Sequence, residues 1–237
     1  TRVRRQPLIE GIELEDEIGR GGMGIVYRGT QAFLQRQVAV KLITTQMADV
    51  MSARFQREAR ILSSITHPNI VGCYQAGVLP SGEGYIVMEF VDGPTLRQMI
   101  NKSGALRVGV ALRVCRDVAC ALESAYASDV IHRDVKPENI MLQRSKGDAA
   151  GSDFPYVPKL VDFGIARSEA GTDGLTNPGE VIGTCATMAP EQFDATLSID
   201  HRADIYALGC VLFHALTGRA AFPEKSVAAV VASKQFG

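Results

Sequence analysis

Apolar positions in the first part of the chain recur with a period of two. Ile12 to Ile18, Ile25 to Thr30 and Gln37 to Ile43 alternate or run β-branched between glycine and polar clusters, which predicts an antiparallel meander. Along Val38-Ala39-Val40-Lys41, alternation sets Lys41 on one face with Ala39 and Ile43, opposite Val38, Val40 and Leu42. The period then becomes helical. Phe55, Ala59, Leu62 and Ile65 recur at three- and four-residue spacing and predict an amphipathic helix from Met51 to Ile65, ended by His67-Pro68-Asn69. Glu58 lies inside that apolar stripe, so its carboxylate and the Lys41 ammonium are expected to pair, because burying either charge alone is costly.

Strands resume at Ile70 to Ala76 and Tyr85 to Phe90. Thr95 to Asn101, Val110 to Ala127 and Asp204 to Leu216 are helical by period, the last with Ile205, Leu208, Leu212 and Leu216 at helical spacing. This predicts an α+β chain: a small sheet-rich lobe with one helix over residues 8–91, a mainly helical lobe over residues 92–237, and a hinge near Glu89 to Gly93. Residues 144–158 and 168–180 are rich in Gly, Asp, Ser, Thr and Pro and predict two long surface loops.

Composition narrows the functional classes. Of 237 residues, 46% are hydrophobic and 22% charged, which excludes a disordered chain. A formal net charge of −1 leaves no global basic field to draw nucleic acid or an anionic membrane, so any anion must be held locally. The most apolar run, Ile205 to Leu216, contains His214 and is shorter than the roughly 20 residues of a membrane span. Five cysteines, an odd number without C-x-x-C spacing, argue against a disulfide framework or a zinc ribbon and for buried thiols in a reducing, cytoplasmic setting. The chain opens without methionine or a signal peptide, and is therefore expected to be a piece of a longer protein that carries any anchor elsewhere.

The chemistry is concentrated in three motifs. Gly19-Arg20-Gly21-Gly22-Met23-Gly24-Ile25-Val26 joins two strands, where glycines let backbone amides approach a phosphate. A dinucleotide fold needs a helix after such glycines, and a strand follows here. His132-Arg133-Asp134-Val135-Lys136-Pro137-Glu138-Asn139 sets a proton acceptor, a phosphate clamp and a metal ligand in one tight loop. Asp162-Phe163-Gly164 adds a second metal-binding carboxylate at the end of a strand.

In this order, and with Lys41 between them, the motifs resemble the eukaryotic-type protein kinases, specifically the bacterial Hanks-type serine/threonine kinases. The resemblance implies a two-lobed kinase fold that uses ATP and Mg2+, with Mn2+ as an alternative. Ile18, Gly19, Gly21, Gly22, Met23, Gly24, Val26 and Ala39 would surround the nucleotide, and Lys41, paired to Glu58, would grip its α- and β-phosphates. Met88 would guard the back of the adenine pocket, with the backbone of Glu89 and Val91 on the adenine edge. Asp134 would take the substrate hydroxyl proton, Lys136 would neutralise the γ-phosphate, and Asn139 and Asp162 would hold the metal. Lys136, two residues after the catalytic aspartate, is similar to the pattern of serine/threonine kinases.

The stretch from Asp162 to Ala189-Pro190-Glu191 resembles an activation segment. Arg133 would receive a phosphate on Thr176, with Thr172 and Ser168 as the next candidates, and Thr184 would contact the catalytic aspartate. Implied partners are protein substrates and a second copy of the domain for trans-autophosphorylation. Cys185 and Thr187 depart from the Pro and Tyr common in bacterial relatives, which leaves the peptide preference open. Such kinases continue with further helices after residues 204–217, so the chain is expected to be incomplete at its C-terminus and to lack the arginine that Glu191 would pair with. Two rivals remain to be tested: a nucleotide-binding pseudokinase, and an aminoglycoside-type phosphotransferase, which Lys136-Pro137-Glu138, the glycine loop and Ala189-Pro190-Glu191 disfavour.

Overall fold

Val38, Val40 and Leu42 turn one face of a strand into solid hydrocarbon, and the sheet is built on it. The computed structural model describes residues 9–21, 24–46, 59–145, 154–163, 185–194, 196–224 and 226–236. The chain divides into two units, Thr1–Ser64 with Gly72–Phe90, and Ile65–Val71 with Val91–Gly237. The predicted hinge region contains the division after Phe90.

The first unit is a five-stranded antiparallel sheet of β1 (Ile12–Gly21), β2 (Gly24–Gln31), β3 (Arg36–Gln46), β4 (Cys73–Val78) and β5 (Glu83–Glu89), in the order β1-β2-β3-β5-β4. Val38, Val40 and Leu42 pack with Ile9, Ile12, Leu79 and Val87, and Leu14, Tyr27 and Tyr85 lie against this cluster. At roughly 1.5–3 kcal/mol per buried large apolar side chain, that face supplies the main driving force of the unit. Residues 59–64 are helical, with Ala59 and Leu62 buried as predicted. Met51, Phe55 and Glu58 lie outside the described residues.

The expected strand at Ile70 to Ala76 begins only at Cys73. The preceding residues are drawn into the second unit. Ile70 bridges Leu160 in parallel, the amide of Leu160 donates to Asn69 O at 2.8 Å, and the amide of Val71 donates to Leu160 O at 3.0 Å.

The second unit holds α1 (Leu96–Ser103), α2 (Val108–Tyr126), α3 (Arg202–Thr217), α4 (Val227–Phe236) and a two-stranded antiparallel sheet of β6 (Ile140–Arg144) and β7 (Tyr156–Leu160). Thr95 caps α1 in a reciprocal box with Gln98, which satisfies two end amides. α2 buries Ala111, Val114, Val118, Ala121, Leu122 and Ala125 along one stripe and packs on α3. α3 ends at Gly218 in the left-handed region (φ 71°), which accommodates glycine without strain.

Three differences from the sequence reading concern this unit. β7 lies partly inside the predicted 144–158 loop; Pro158 masks it in the sequence, yet Pro158 stands opposite Leu142 in register and its carbonyl accepts from Asn69 Nδ2 at 2.8 Å. α4 was not predicted, because Val227, Val230 and Val231 carry no strong helical propensity. α3 departs in part from its sequence pattern: Leu208 is buried, but Ile205 is 54% exposed and Asp204, Ala207, Val211 and Ala215 are buried in its place.

No helix among the described residues is long and apolar enough to cross a membrane. Cys115, Cys185 and Cys210 are buried and in no disulfide, Cys73 is half-buried and Cys120 is exposed.

Candidate functional site

Residues opposite one another in an antiparallel sheet point to the same face. Val26, Lys41 and Ile86 form one row across β2, β3 and β5; Arg28, Ala39 and Met88 form the next. Gly19 stands opposite Val26, and Gly21 opposite Gly24. The face away from the Val38–Val40–Leu42 core thus gathers Gly19, Gly21, Gly24, Val26, Ala39, Lys41 and Met88 from four strands. Ile18, beside Gly19, is half exposed. Gly22, Met23 and Glu58 lie outside the described residues.

The glycines of the hairpin have different physical reasons. A Cβ at Gly24 would lie 1.9 Å from Leu42 O, so the close approach of β2 to β3 demands glycine there. Among the described residues, a Cβ at Gly21 would meet nothing within 4 Å, and one at Gly19 only ordinary contact with Val26. The sheet therefore does not require those two, and the open space beside them suits a close-approaching ligand. Glu89 lies on the core side of β5, opposite Val38; its amide donates to Gly72 O at 2.8 Å and its Oε2 accepts from Gly72 N at 3.3 Å. Any bond from its backbone to a base would therefore have to use the carbonyl. Val91 is buried and opens the second unit.

In the second unit the loop 131–139 is held at several points. Asp204, nearly fully buried on α3, accepts the amide of His132 on Oδ2 and that of Arg133 on Oδ1, each at 2.8 Å. Burial pushes the Asp204 carboxyl up, while His132 and the two amide donors pull it back. His132 is also fully buried. Its Nε2 donates to Val161 O at 2.9 Å and its Nδ1 accepts from the Asp134 amide at 3.2 Å, which sets one neutral tautomer. Burial depresses its pKa below the ordinary histidine value. The ring also packs on Phe163 with centroids 4.5 Å apart. Arg133 takes φ 64° and Asp162 φ 59°, each a left-handed conformation that costs a non-glycine residue about 1–2 kcal/mol.

Asp134 is thereby oriented. Its Oδ2 receives Lys136 Nζ at 3.0 Å and Asn139 Nδ2 at 3.0 Å, and the same Nδ2 reaches Asp134 O at 2.8 Å. With its amide so used, Asn139 has its carboxamide oxygen left to offer. The amide of Val161, one residue before Asp162, donates to Asn139 O at 2.9 Å, which ties the end of the β7 segment to this loop. One carboxamide oxygen and one carboxylate are hard donors, a set that suits Mg2+ or Mn2+ rather than a soft metal.

The protein kinase domain family matches residues 12–236. The chain belongs to that family. The kinase domain is 43% identical over 218 residues to the serine/threonine-protein kinase PknD of Mycobacterium tuberculosis, covering 91% of this chain and 31% of that protein. It is 39% identical over 220 residues to PknB of Mycobacterium leprae, covering 91% of this chain and 34% of that one. The chain thus spans about a third of the length of these curated relatives. The PknI kinase domain of Mycobacterium tuberculosis is similar in structure, with a TM-score of 0.71 at 29% identity, covering 92% of this chain and 79% of that one. The fold is that of the protein kinases.

Sequence reasoning missed Asp204 and Gln192. Gln192 donates from Nε2 to Arg133 O at 3.1 Å and accepts from the Ala189 amide at 2.8 Å, which pins the Ala189–Phe193 stretch to the kinase's Asp134 loop. No capping-box signal marked it, since Ala189 has no side-chain acceptor and only the Gln192 half of that arrangement forms. Arg97 was missed as well: its Nε meets Glu138 Oε1 at 3.2 Å, and its Nη1 lies 3.0 Å from His214 Nε2. Thr184, Ser168, Thr172 and Thr176 lie outside the described residues.

Proposed function

We propose that this chain is the catalytic part of a bacterial serine/threonine protein kinase that transfers the γ-phosphoryl group of ATP to serine or threonine hydroxyls of proteins. The observation that carries this reading is the Asp134 carboxylate, one oxygen of which is held by both Lys136 and Asn139. Asp134 would take the proton of the attacking hydroxyl as its oxygen bonds to the γ-phosphorus, and the bond to the β–γ bridging oxygen breaks to release ADP. Lys136, 3.0 Å from Asp134, would bring positive charge to the transferring group. Lys41, on the face shared with Gly19, Gly21, Val26, Ala39 and Met88, would hold the other phosphates, and the open space beside Gly21 supports a nucleotide on that face. Asn139 and Asp162 would bind Mg2+ or Mn2+, which offsets phosphate charge when bound.

The same reading includes a regulatory part. Arg133 would receive a phosphate added to Thr176, Thr172 or Ser168 by a second copy of the domain, on the cytoplasmic side of the cell.

The test is transfer of labelled γ-phosphate from ATP to myelin basic protein, with Asp134→Asn as control. Labelling by the wild type alone is expected. Equal labelling by both proteins would overturn the assignment. ATP binding without transfer would indicate a pseudokinase, and labelling of a small alcohol but no protein would indicate a small-molecule phosphotransferase.

A further inference from the structure

Lys234 on α4 is placed as no surface lysine would be. Its ammonium lies 4.5 Å from the ring centroid of Phe222, 5.0 Å from that of Tyr206 and 6.0 Å from that of Phe193. It donates to two backbone carbonyls, Ala186 O at 3.1 Å and Met188 O. Carbonyls at the end of a helical turn carry partial negative charge and have no partner within that turn, so an ammonium satisfies them well. The aromatic faces offset part of the lost hydration. Burial lowers the Lys234 pKa, yet the two acceptors and three rings are arranged for the charged form.

The residues it holds lead to the loop that carries the proposed chemistry. From Met188 the backbone passes to Ala189, whose amide is bound by Gln192, and Gln192 in turn donates to Arg133 O, next to Asp134. A cleft of about 230 Å3 runs alongside, lined by Ala186, Thr187 and the cage residue Phe222, and by Pro137 and Glu138 of the catalytic loop. Pro137 and Glu138 stand three and four residues after Asp134, so this wall borders the loop that the substrate hydroxyl is proposed to reach.

We infer that Lys234 is a positioning residue for the protein substrate: it clamps residues 185–189 as the wall of the cleft beside Asp134. The inference rests on the kinase reading above and adds to it a residue outside the nucleotide site.

The experiment compares wild type, Lys234→Met and Lys234→Arg with myelin basic protein and ATP as varied substrates, together with amide hydrogen exchange over residues 185–193. Lys234→Met removes the charge and both donors at similar length. A rise of about tenfold in KM for the protein substrate is expected, the scale of one lost charge-assisted hydrogen bond. KM for ATP should stay within about twofold, exchange at Ala189 and Gln192 should quicken, and Lys234→Arg should restore protein KM to within about threefold of wild type. If Lys234→Met does not fold, Lys234→Gln, which keeps one donor without charge, is expected to show a smaller rise in protein KM with unchanged KM for ATP. Wild-type KM for protein in the folded neutral variant overturns the role of Lys234, and so does an equal rise in both KM values. A wild type that labels no protein overturns the kinase reading instead, and the exchange data then judge the clamp alone.

Discussion

Oδ2 of Asp204 accepts the backbone amide of His132 at 2.8 Å, and this bond joins the first turn of α3 to the loop that orients Asp134. The carboxylate binds the amide of Arg133 equally closely, so two consecutive peptide groups are fixed to one rigid side chain. One of those residues is held in the left-handed region. The strain is local, and the anchor that opposes it comes from a helix 71 positions away.

Asp204→Asn is the sharpest test of that anchor. An amide keeps one acceptor oxygen but turns a donor toward the other backbone N–H, leaving a buried group unsatisfied at about 1–3 kcal/mol. Chemical denaturation should show a loss of that size, and kcat should fall more than KM for ATP because the backbone of Arg133 is no longer held.

His132 makes stability depend on pH in a definite direction. Its folded pKa lies below the ordinary 6.5 because burial disfavours the charged ring, so the unfolded chain binds more protons as pH falls. Its contribution is therefore full above about 6.5 and is lost as pH drops toward the folded pKa. Urea unfolding of wild type and His132→Phe between pH 5 and 8 should show a steeper decline for wild type below that point. His214, lowered by burial and by Arg97, is present in both proteins, whereas Asp204, which His132 helps to hold down against burial, loses that partner in His132→Phe, so the difference between the curves reports His132 together with its coupling to Asp204.

Gly21→Ala and Gly24→Ala should separate binding from folding. An added Cβ at Gly24 must displace Leu42 O, and the melting temperature should fall by several degrees, whereas Gly21→Ala should melt as wild type. Gly21→Ala should instead raise KM for ATP, because the methyl group occupies the open space beside the hairpin. An unchanged KM would remove Gly21 from the nucleotide site.

Asp162 combines a left-handed backbone with a proposed metal ligand. Asparagine tolerates φ near 59°, so Asp162→Asn should keep the melting temperature within about two degrees while phosphate transfer drops by orders of magnitude. Asp162→Gly should be equally inactive and at least as stable, since glycine carries no penalty there. Thermal melts beside transfer assays decide both points.

Short-range patterns made the sheet legible. Alternation along Val38 to Ile43 assigned Lys41 to the face opposite the hydrophobic cluster, and the register confirms that placement. Thr95 likewise marked the start of α1. What stayed hidden depends on contacts between distant segments. Asp204 reads as an ordinary acidic residue at the start of a helix until the amides of His132 and Arg133 are seen to need it, and its inward face leaves the neighbouring Ile205 exposed. Pro158 hid β7, since a proline argues against a strand unless its missing N–H faces away from the ladder. Lys234 had no local signal, because its partners at 186 and 188 are backbone carbonyls that no side-chain pattern reports.

The alternation on β3 acts as a reading frame for the first unit. Val38, Val40 and Leu42 cannot leave the hydrocarbon cluster without large cost, and they thereby dictate which way Ala39, Lys41 and Ile43 turn. Deleting one residue between Arg36 and Val38 would be absorbed at the turn, but deleting one between Val38 and Leu42 would exchange the two faces and drive Lys41 into oil. The same lock keeps the other side separate: Ala39 and Met88 stand in a row of their own, so a substitution there is expected to leave the hydrocarbon cluster that holds the strand in register intact.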